Sequence, residues 1–375
     1  MIKRFLKKIL FLFIFPIILI YIPPSLLLFL TNENFYNIVD AIDEDKEVLI
    51  GYSYNESNYK HLKWKTIIKK EKKTIWALGS SRVLQFREEL FNQDFYNAGY
   101  TINTTGDYLT FLKSIPNEKL PDVLIIGFDQ FMFNENWTSS KKTKVKTYWE
   151  ESFSFYPSVQ TILNTYADLF SSIKSIDNNV KLKNTTYIGL KAYMDNMGFR
   201  KDGSMYYGNM IKRVINKDPT LKQHKFKDTK SRIIKGNRKF QFGNLVDETA
   251  ISNIEKLLKY CNLNNIKVIG FLPPFANEVL TDMLESNNYD YLNFIHDKLD
   301  GSFKKYKHEL WDFTNPTKFG SDNTEFLDGF HGGELTYLKM IKFMADNNSI
   351  IGNYIDHNKV NFNYSEYNNK FEIFN

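Results

Sequence analysis

The chain has 375 residues and one cysteine, Cys261, which excludes an intrachain disulfide and a cysteine zinc cluster. Cys261 falls on an apolar, helix-like face and reads as a core side chain rather than a nucleophile. The chain has six histidines but no His-x-x-x-His pair, so nothing in the spacing supports a zinc site. No glycine-rich phosphate loop is present, which argues against nucleotide-dependent chemistry. Beyond the first residues there is no block of five or six like charges. With a formal charge of only +6 and a pI near 8.9, nucleic-acid binding gets no support, and a mildly basic surface suits anionic polymers or lipid at most. No second long apolar run follows the first, which argues against transport by this chain alone.

That first run is well defined. Lys3, Arg4, Lys7 and Lys8 precede an uncharged stretch from Ile9 to Leu30, long enough to cross a bilayer core of about 30 Å as a helix. No small-x-small cleavage site follows it, so residues 1–30 read as a cytoplasmic tip and an uncleaved anchor. The charge bias puts the amino terminus in the cytoplasm and the rest outside. Residues 31–73 are polar and read as a membrane-proximal connector.

From Thr74 the pattern becomes that of an α/β domain. The run Thr74-Ile75-Trp76-Ala77-Leu78-Gly79-Ser80-Ser81-Arg82 reads as a buried strand ending in a tight turn, and Val83 to Phe91 as a following helix. Asp94 to Gly99, Pro121 to Phe128, Ile266 to Leu272 and Glu309 to Phe313 read as further strands. Asp107 to Ser114, Ala250 to Leu263 and Glu334 to Met344 carry helical periodicity. This alternation predicts a parallel sheet with helices on both faces. Between about 131 and 244 it breaks down, in a span too long for a loop, so an inserted subdomain is expected there. Within it, Gly198 to Tyr207 mixes turn formers with aromatics and reads as a turn, with a glycan groove as the rival. Residues 348–375 read as a tail without a motif.

The chemistry-bearing residues follow predicted strands. Ser81 stands at a strand end, where backbone N–H groups face ligands in open α/β sheets. Asp328 and His331 are three apart beside glycines, a spacing that lets a carboxylate reach the imidazole, fix its tautomer and stabilise the imidazolium. A serine needs such a base to attack at neutral pH. A parallel sheet gathers Ser81, Gly99, Asp129, Pro274 and Asp328 on one edge.

On these residues the chain resembles the SGNH (GDSL-type) hydrolase and acyltransferase superfamily over about 74–345, the insertion excluded. The resemblance implies a three-layer domain with a parallel sheet, Ser81 as nucleophile, and Asp328 and His331 as the rest of a triad. It also implies oxyanion donors at the Ser81 and Gly99 N–H groups. Asp129 stands where the family's third block has an asparagine, which leaves Gln130 or Asn134 as candidate donors, and Ser80 stands beside Ser81 as a second hydroxyl. Gly-Ser-Ser with an anchor is most similar to extracytoplasmic proteins of the teichoic acid D-alanyl transfer and alginate O-acetylation type. That similarity implies a membrane-bound O-acyltransferase partner, a polysaccharide or teichoic-acid-like acceptor, and no cofactor or metal. The expected function is O-acyl transfer to a cell-surface or secreted polymer through an acyl-serine. The alternatives are an esterase acting on the same polymers and a non-catalytic polymer-binding subunit of an export complex.

Overall fold

Five short, mostly apolar strands set the layout of the larger part of the chain. In the computed structural model the described residues are 2–33, 46–140, 158–172, 182–362, 364, 367 and 369–374. The strands in chain order are β1 Glu47–Ile50, β2 Ile75–Gly79, β3 Phe95–Gly99, β4 Val123–Gly127, β5 Thr185–Ile188, β6 Gly198–Phe199, β7 Met205–Tyr206, β8 Lys267–Leu272 and β9 Glu309–Asp312. They form two sheets, ordered β3-β2-β4-β8-β9 and β5-β1-β6-β7. The chain divides into two units: one holds Met1–Tyr59, Glu151–Lys201 and Tyr206–Met210, and the other holds Lys60–Glu150, Asp202–Met205 and Ile211–Asn375.

The larger unit is an α/β domain whose five-stranded sheet is parallel throughout. Its strands carry apolar residues at successive positions because both faces are covered. Trp76, Leu78, Leu124, Ile126 and Val268 pack on one face with the helices Thr105–Lys113, Glu248–Leu263 and Ile295–Lys305. Ile75, Ala77, Val123, Ile125 and Ile269 pack on the other with the helix Glu334–Asp346. The helix Glu248–Leu263 starts where the Asp247 carboxylate accepts from the Thr249 N–H at 2.7 Å, a cap worth about 1 kcal/mol. It turns Ile254, Leu257, Leu258 and Cys261 inward, each buried side chain contributing at most about 1.5–3 kcal/mol. Burial pushes the Cys261 thiol up to about 12, the behaviour of a core residue.

Val83 explains three glycines at once. A Cβ on Gly79, Gly99 or Gly127, at the carboxyl ends of β2, β3 and β4, would sit 2.8, 2.6 and 2.6 Å from a Val83 methyl. The strand ends are thinned so that the segment after Ser81 can fold across them. That segment is not the α-helix expected for Val83 to Phe91: it is two 3-10 turns, Ser81–Val83 and Glu88–Leu90. Arg82 through Arg87 are all buried, so no solvent face exists for an amphipathic helix. The Asn97 side-chain amide also donates to the Val83 and Phe86 carbonyls at 2.8 and 2.9 Å, a capture that holds the turn in place of a helical ladder.

Three segments read as accessory belong to the framework. Within the tail 348–375, the described residues Ile351, Ile355, Val360 and Phe371 are buried, and Glu334 accepts the Ile373 N–H at 2.7 Å. Within the supposed connector 31–73, β1 joins the small sheet and the helix Tyr59–Lys69 brings Ile67 into the larger core. The supposed insertion 131–244 is shared between the two units. Residues 34–45, 141–157 and 173–181, parts of these spans, lie outside the described residues.

The smaller unit contains the helix Ile2–Leu30, long and apolar enough to cross a membrane. Its mixed sheet pairs β1 parallel to β5 and antiparallel to β6, so Gly198 to Tyr207 contributes two short strands flanking a turn. Just past the apolar helix, Glu33 accepts the N–H groups of Ser53, Tyr54 and Leu190 at 2.7–2.9 Å. Burial raises its pKa, and those N–H groups oppose the rise.

Candidate active site

Ser81 lies two residues beyond β2, partly exposed, in the first position of a 3-10 turn. The neighbouring hydroxyl is engaged differently: the buried Ser80 side chain caps this turn by accepting from the Arg82 N–H at 3.2 Å. Of the two hydroxyls it is the Ser81 Oγ that lies 2.8 Å from His331 Nε2.

His331 sits in a tight turn after β9. Gly329 takes φ +98°, a region that favours glycine, and a Cβ there would meet Val279 at 2.5 Å. The Leu327 N–H donates to the His331 carbonyl at 2.8 Å and closes the turn. Inside it one Asp328 oxygen accepts the backbone N–H groups of Phe330 and His331 at 3.2 and 3.0 Å. The other lies 2.8 Å from His331 Nδ1. Burial alone would raise the Asp328 carboxyl, but the His331 ring and those N–H groups together hold it below the ordinary carboxylate range. An ionised carboxylate only accepts, so Nδ1 carries the proton and Nε2 turns its lone pair to the Ser81 hydroxyl. The three residues therefore form a continuous Asp–His–Ser hydrogen-bond chain that can draw the proton from Ser81.

The residues expected to complete an oxyanion hole are engaged elsewhere. The Gly99 N–H donates to the Asn97 Oδ1 at 2.9 Å. The Gln130 amide donates to the Pro273 carbonyl at 2.7 Å and the Thr314 hydroxyl at 3.1 Å. The Asn134 amide donates to the Gln241 carbonyl at 2.6 Å, while its oxygen accepts the Asn136 N–H at 2.9 Å. Close packing against Val83 accounts for Gly99 without an oxyanion. Among the described residues the Ser81 N–H makes no hydrogen bond; it is the donor that stays free beside its own hydroxyl.

The residue that the sequence reading left without a role is Arg82. It is 2 % exposed and uses its whole guanidinium. Nε donates to the Phe330 carbonyl at 3.0 Å, Nη1 to Gln130 Oε1 at 2.8 Å and Asp129 Oδ1 at 3.4 Å, and Nη2 to the carbonyls of Pro273 and Pro274 at 3.0 and 2.7 Å. The group stacks on Phe275, 4.4 Å from the ring centre, and Tyr337 donates its hydroxyl to the Arg82 carbonyl. One rigid fork thus ties the ends of β2, β4 and β8 to the histidine turn. The signal available in the sequence was an arginine set directly between a strand end and the apolar Val83-Leu84.

Comparison with known proteins adds little. No family model matches the chain. A calcium-dependent protein kinase 6 from Plasmodium berghei (strain Anka) is 26% identical over 194 residues, which is 48% of this chain but 12% of the kinase. The chain spans about an eighth of that relative's length. The relative is an enzyme by name.

Proposed function

We propose that the chain is a membrane-anchored serine O-acyltransferase of the SGNH type, acting outside the membrane on a surface or secreted polymer. The observation that carries this reading is the Asp328–His331–Ser81 hydrogen-bond chain, with both links at 2.8 Å. His331 takes the Ser81 proton as Oγ attacks the carbonyl of an acyl ester or thioester. The Ser81 N–H faces the oxyanion, and the leaving group departs with the proton from His331. The acyl-Ser81 ester then meets a sugar hydroxyl, whose proton passes to His331 as the new ester forms, and Ser81 is regenerated. A single N–H is a modest oxyanion hole, since each missing donor costs about 2.7–4 kcal/mol in the transition state. This suits a slow enzyme that works with a membrane-bound O-acyltransferase partner supplying the acyl group. The apolar helix Ile2–Leu30 supports anchoring, and Lys3, Arg4, Lys7 and Lys8 support a cytoplasmic amino terminus. In cells, Ser81→Ala should abolish polymer acylation; unchanged acylation would refute the proposal.

The partial exposure of Ser81 favours a second reading, an esterase that removes the same acyl groups, because water then competes as acceptor. Purified protein given an activated acyl ester, with and without oligosaccharide, separates the two. Acceptor-dependent product supports transfer, and rapid release without acceptor supports hydrolysis.

A further inference from the structure

Within the stretch Gly198 to Tyr207, the four residues Asp202–Met205 belong to the larger unit, and Asp202, Gly203 and Ser204 are buried. They lie against β3. The Asn97 N–H donates to the Asp202 carbonyl at 2.7 Å, and the Lys63 amine donates to the carbonyls of Gly203 and Asn97, the latter at 2.8 Å. Gly203 takes φ +81°, and a Cβ there would meet the Asn97 carbonyl oxygen at 2.3 Å, so glycine permits the close approach.

The same four residues hold the segment that carries the serine. Ser81 to Leu90 has no helical ladder, so its polar groups need partners from elsewhere. The Leu84 N–H donates to the Ser81 carbonyl at 3.4 Å, and the Leu84 carbonyl accepts the Met205 N–H at 3.0 Å. The Gln85 amide donates to the Met205 carbonyl at 2.9 Å. One Asp202 oxygen is fixed by the Ser204 N–H and hydroxyl at 2.8 and 2.6 Å. The other accepts the Glu88 N–H at 3.1 Å and Arg87 Nε at 3.3 Å.

Arg87 carries the connection onward. Its Nη1 donates to Glu334 at 2.6 Å and its Nη2 to Glu89 at 2.6 Å. Glu334 is fully buried and opens the helix Glu334–Asp346, three residues after His331. The chain of contacts Asp202–Arg87–Glu334 thus joins the serine's segment to the histidine's by a route separate from Arg82. A planar guanidinium held on all three nitrogens has one orientation, and loss of the Asp202 oxygen removes the acceptor at Nε.

We propose that Asp202 is a positioning residue, acting through Arg87 and Glu334 to keep Ser81 and His331 in register. It rests on the triad that the acyl-transfer reading uses, and Asp202 itself touches no reacting atom.

The test uses the full chain in detergent, with fluorophosphonate labelling of Ser81, turnover of 4-nitrophenyl acetate, and hydrogen exchange of the amides of residues 82–90. In folded Asp202→Ala, kcat and the labelling rate should fall about tenfold or more while KM stays within about twofold, as small misplacements at a reacting pair do. Asp202→Asn keeps an oxygen for the Glu88 and Ser204 N–H groups and should recover part of the rate. Asp247→Ala serves as the control, because it removes a comparable cap from the helix Glu248–Leu263 and should lower stability without slowing Ser81. Wild-type labelling and kcat in Asp202→Ala, or an equal slowing in Asp247→Ala, would overturn the proposal. Should Asp202→Ala fail to fold, Asp202→Asn decides: labelling must slow by about threefold or more, and an unchanged rate overturns it. Exchange separates this proposal from the acyl-transfer reading. If the wild type neither labels nor turns over ester, that reading falls. Amides 84–88 exchanging about tenfold faster in Asp202→Asn, with the helix Glu248–Leu263 unaffected, then uphold the brace, and unchanged exchange overturns it. A wild type that labels at Ser81, with Asp202 variants that label equally fast, removes Asp202 and leaves the acyl-transfer reading intact.

Discussion

Arg82 donates its Nε hydrogen to the carbonyl of Phe330 at 3.0 Å, so the residue after the serine grips the residue before the histidine across 248 positions of chain. The distance between Ser81 and His331 is set by this bond and by the other contacts of the same guanidinium.

Replacing Arg82 should therefore affect both stability and reactivity. Arg82→Met leaves Asp129, Gln130 Oε1 and the carbonyls of Phe330 and Pro274 without this donor, and should cost about 3–5 kcal/mol in denaturant unfolding. Arg82→Lys keeps the charge but not the planar fork, so the slowing of Ser81 labelling by a fluorophosphonate should exceed what the loss of stability explains. Labelling at the wild-type rate in a folded Arg82→Lys protein would remove Arg82 as a positioning residue.

The two serines should separate cleanly. Ser80→Ala removes a turn cap and should cost about 1 kcal/mol while fluorophosphonate labelling persists. Ser81→Ala should abolish labelling with little change in stability, because its hydroxyl contacts only His331 among the described residues. Labelling that survives in Ser81→Ala and disappears in Ser80→Ala would make Ser80 the nucleophile and remove Ser81 from that role.

Asp328→Asn should leave the turn folded but present the wrong His331 tautomer, lowering turnover by about 10⁴-fold. The native Asp328 pKa is depressed, so its contribution to stability is present above the unfolded value of about 3.9. It fades as pH falls through the lower folded value. Acid unfolding curves of wild type and Asp328→Asn should accordingly diverge above about pH 4 and converge in stronger acid.

Gly99→Ala distinguishes packing from oxyanion binding. The new Cβ would lie 2.6 Å from Val83, 2.7 Å from Asn97 Oδ1 and 2.8 Å from Leu84, and overpacking of this kind costs about 1–3 kcal/mol. Because Val83 is two residues from Ser81, Ser81 labelling should slow along with the loss of stability. The double variant Gly99→Ala, Val83→Ala should recover part of both, whereas a loss of rate that ignores Val83 would favour a direct role for the Gly99 N–H.

Much was legible in the order of residues. β2, β4 and β8 are apolar runs because sheet strands covered on both faces must be, and a run of that kind reads directly. Asp328 and His331 were legible because their partnership is local, three residues apart. The segment Val83 to Phe91 was misread because its apolar spacing mimics a helical face, while what shapes it is the Asn97 amide from the neighbouring strand. Gly99, Gln130 and Asn134 were read as oxyanion donors because sequence shows donors without showing their acceptors. Those acceptors lie on Asn97, Pro273 and Gln241.

By itself the sequence determined an apolar amino-terminal helix, a parallel sheet and the chemical types at its edge, since these follow from composition and short-range periodicity. Tertiary structure alone decided which serine meets the histidine, that the residues after 347 close the core, and that Arg82 joins the strand ends. Each of these is a matter of distance between residues far apart in the chain, and hydrogen bonds and charge pairs are short-ranged forces that exist only once folding has brought the partners together.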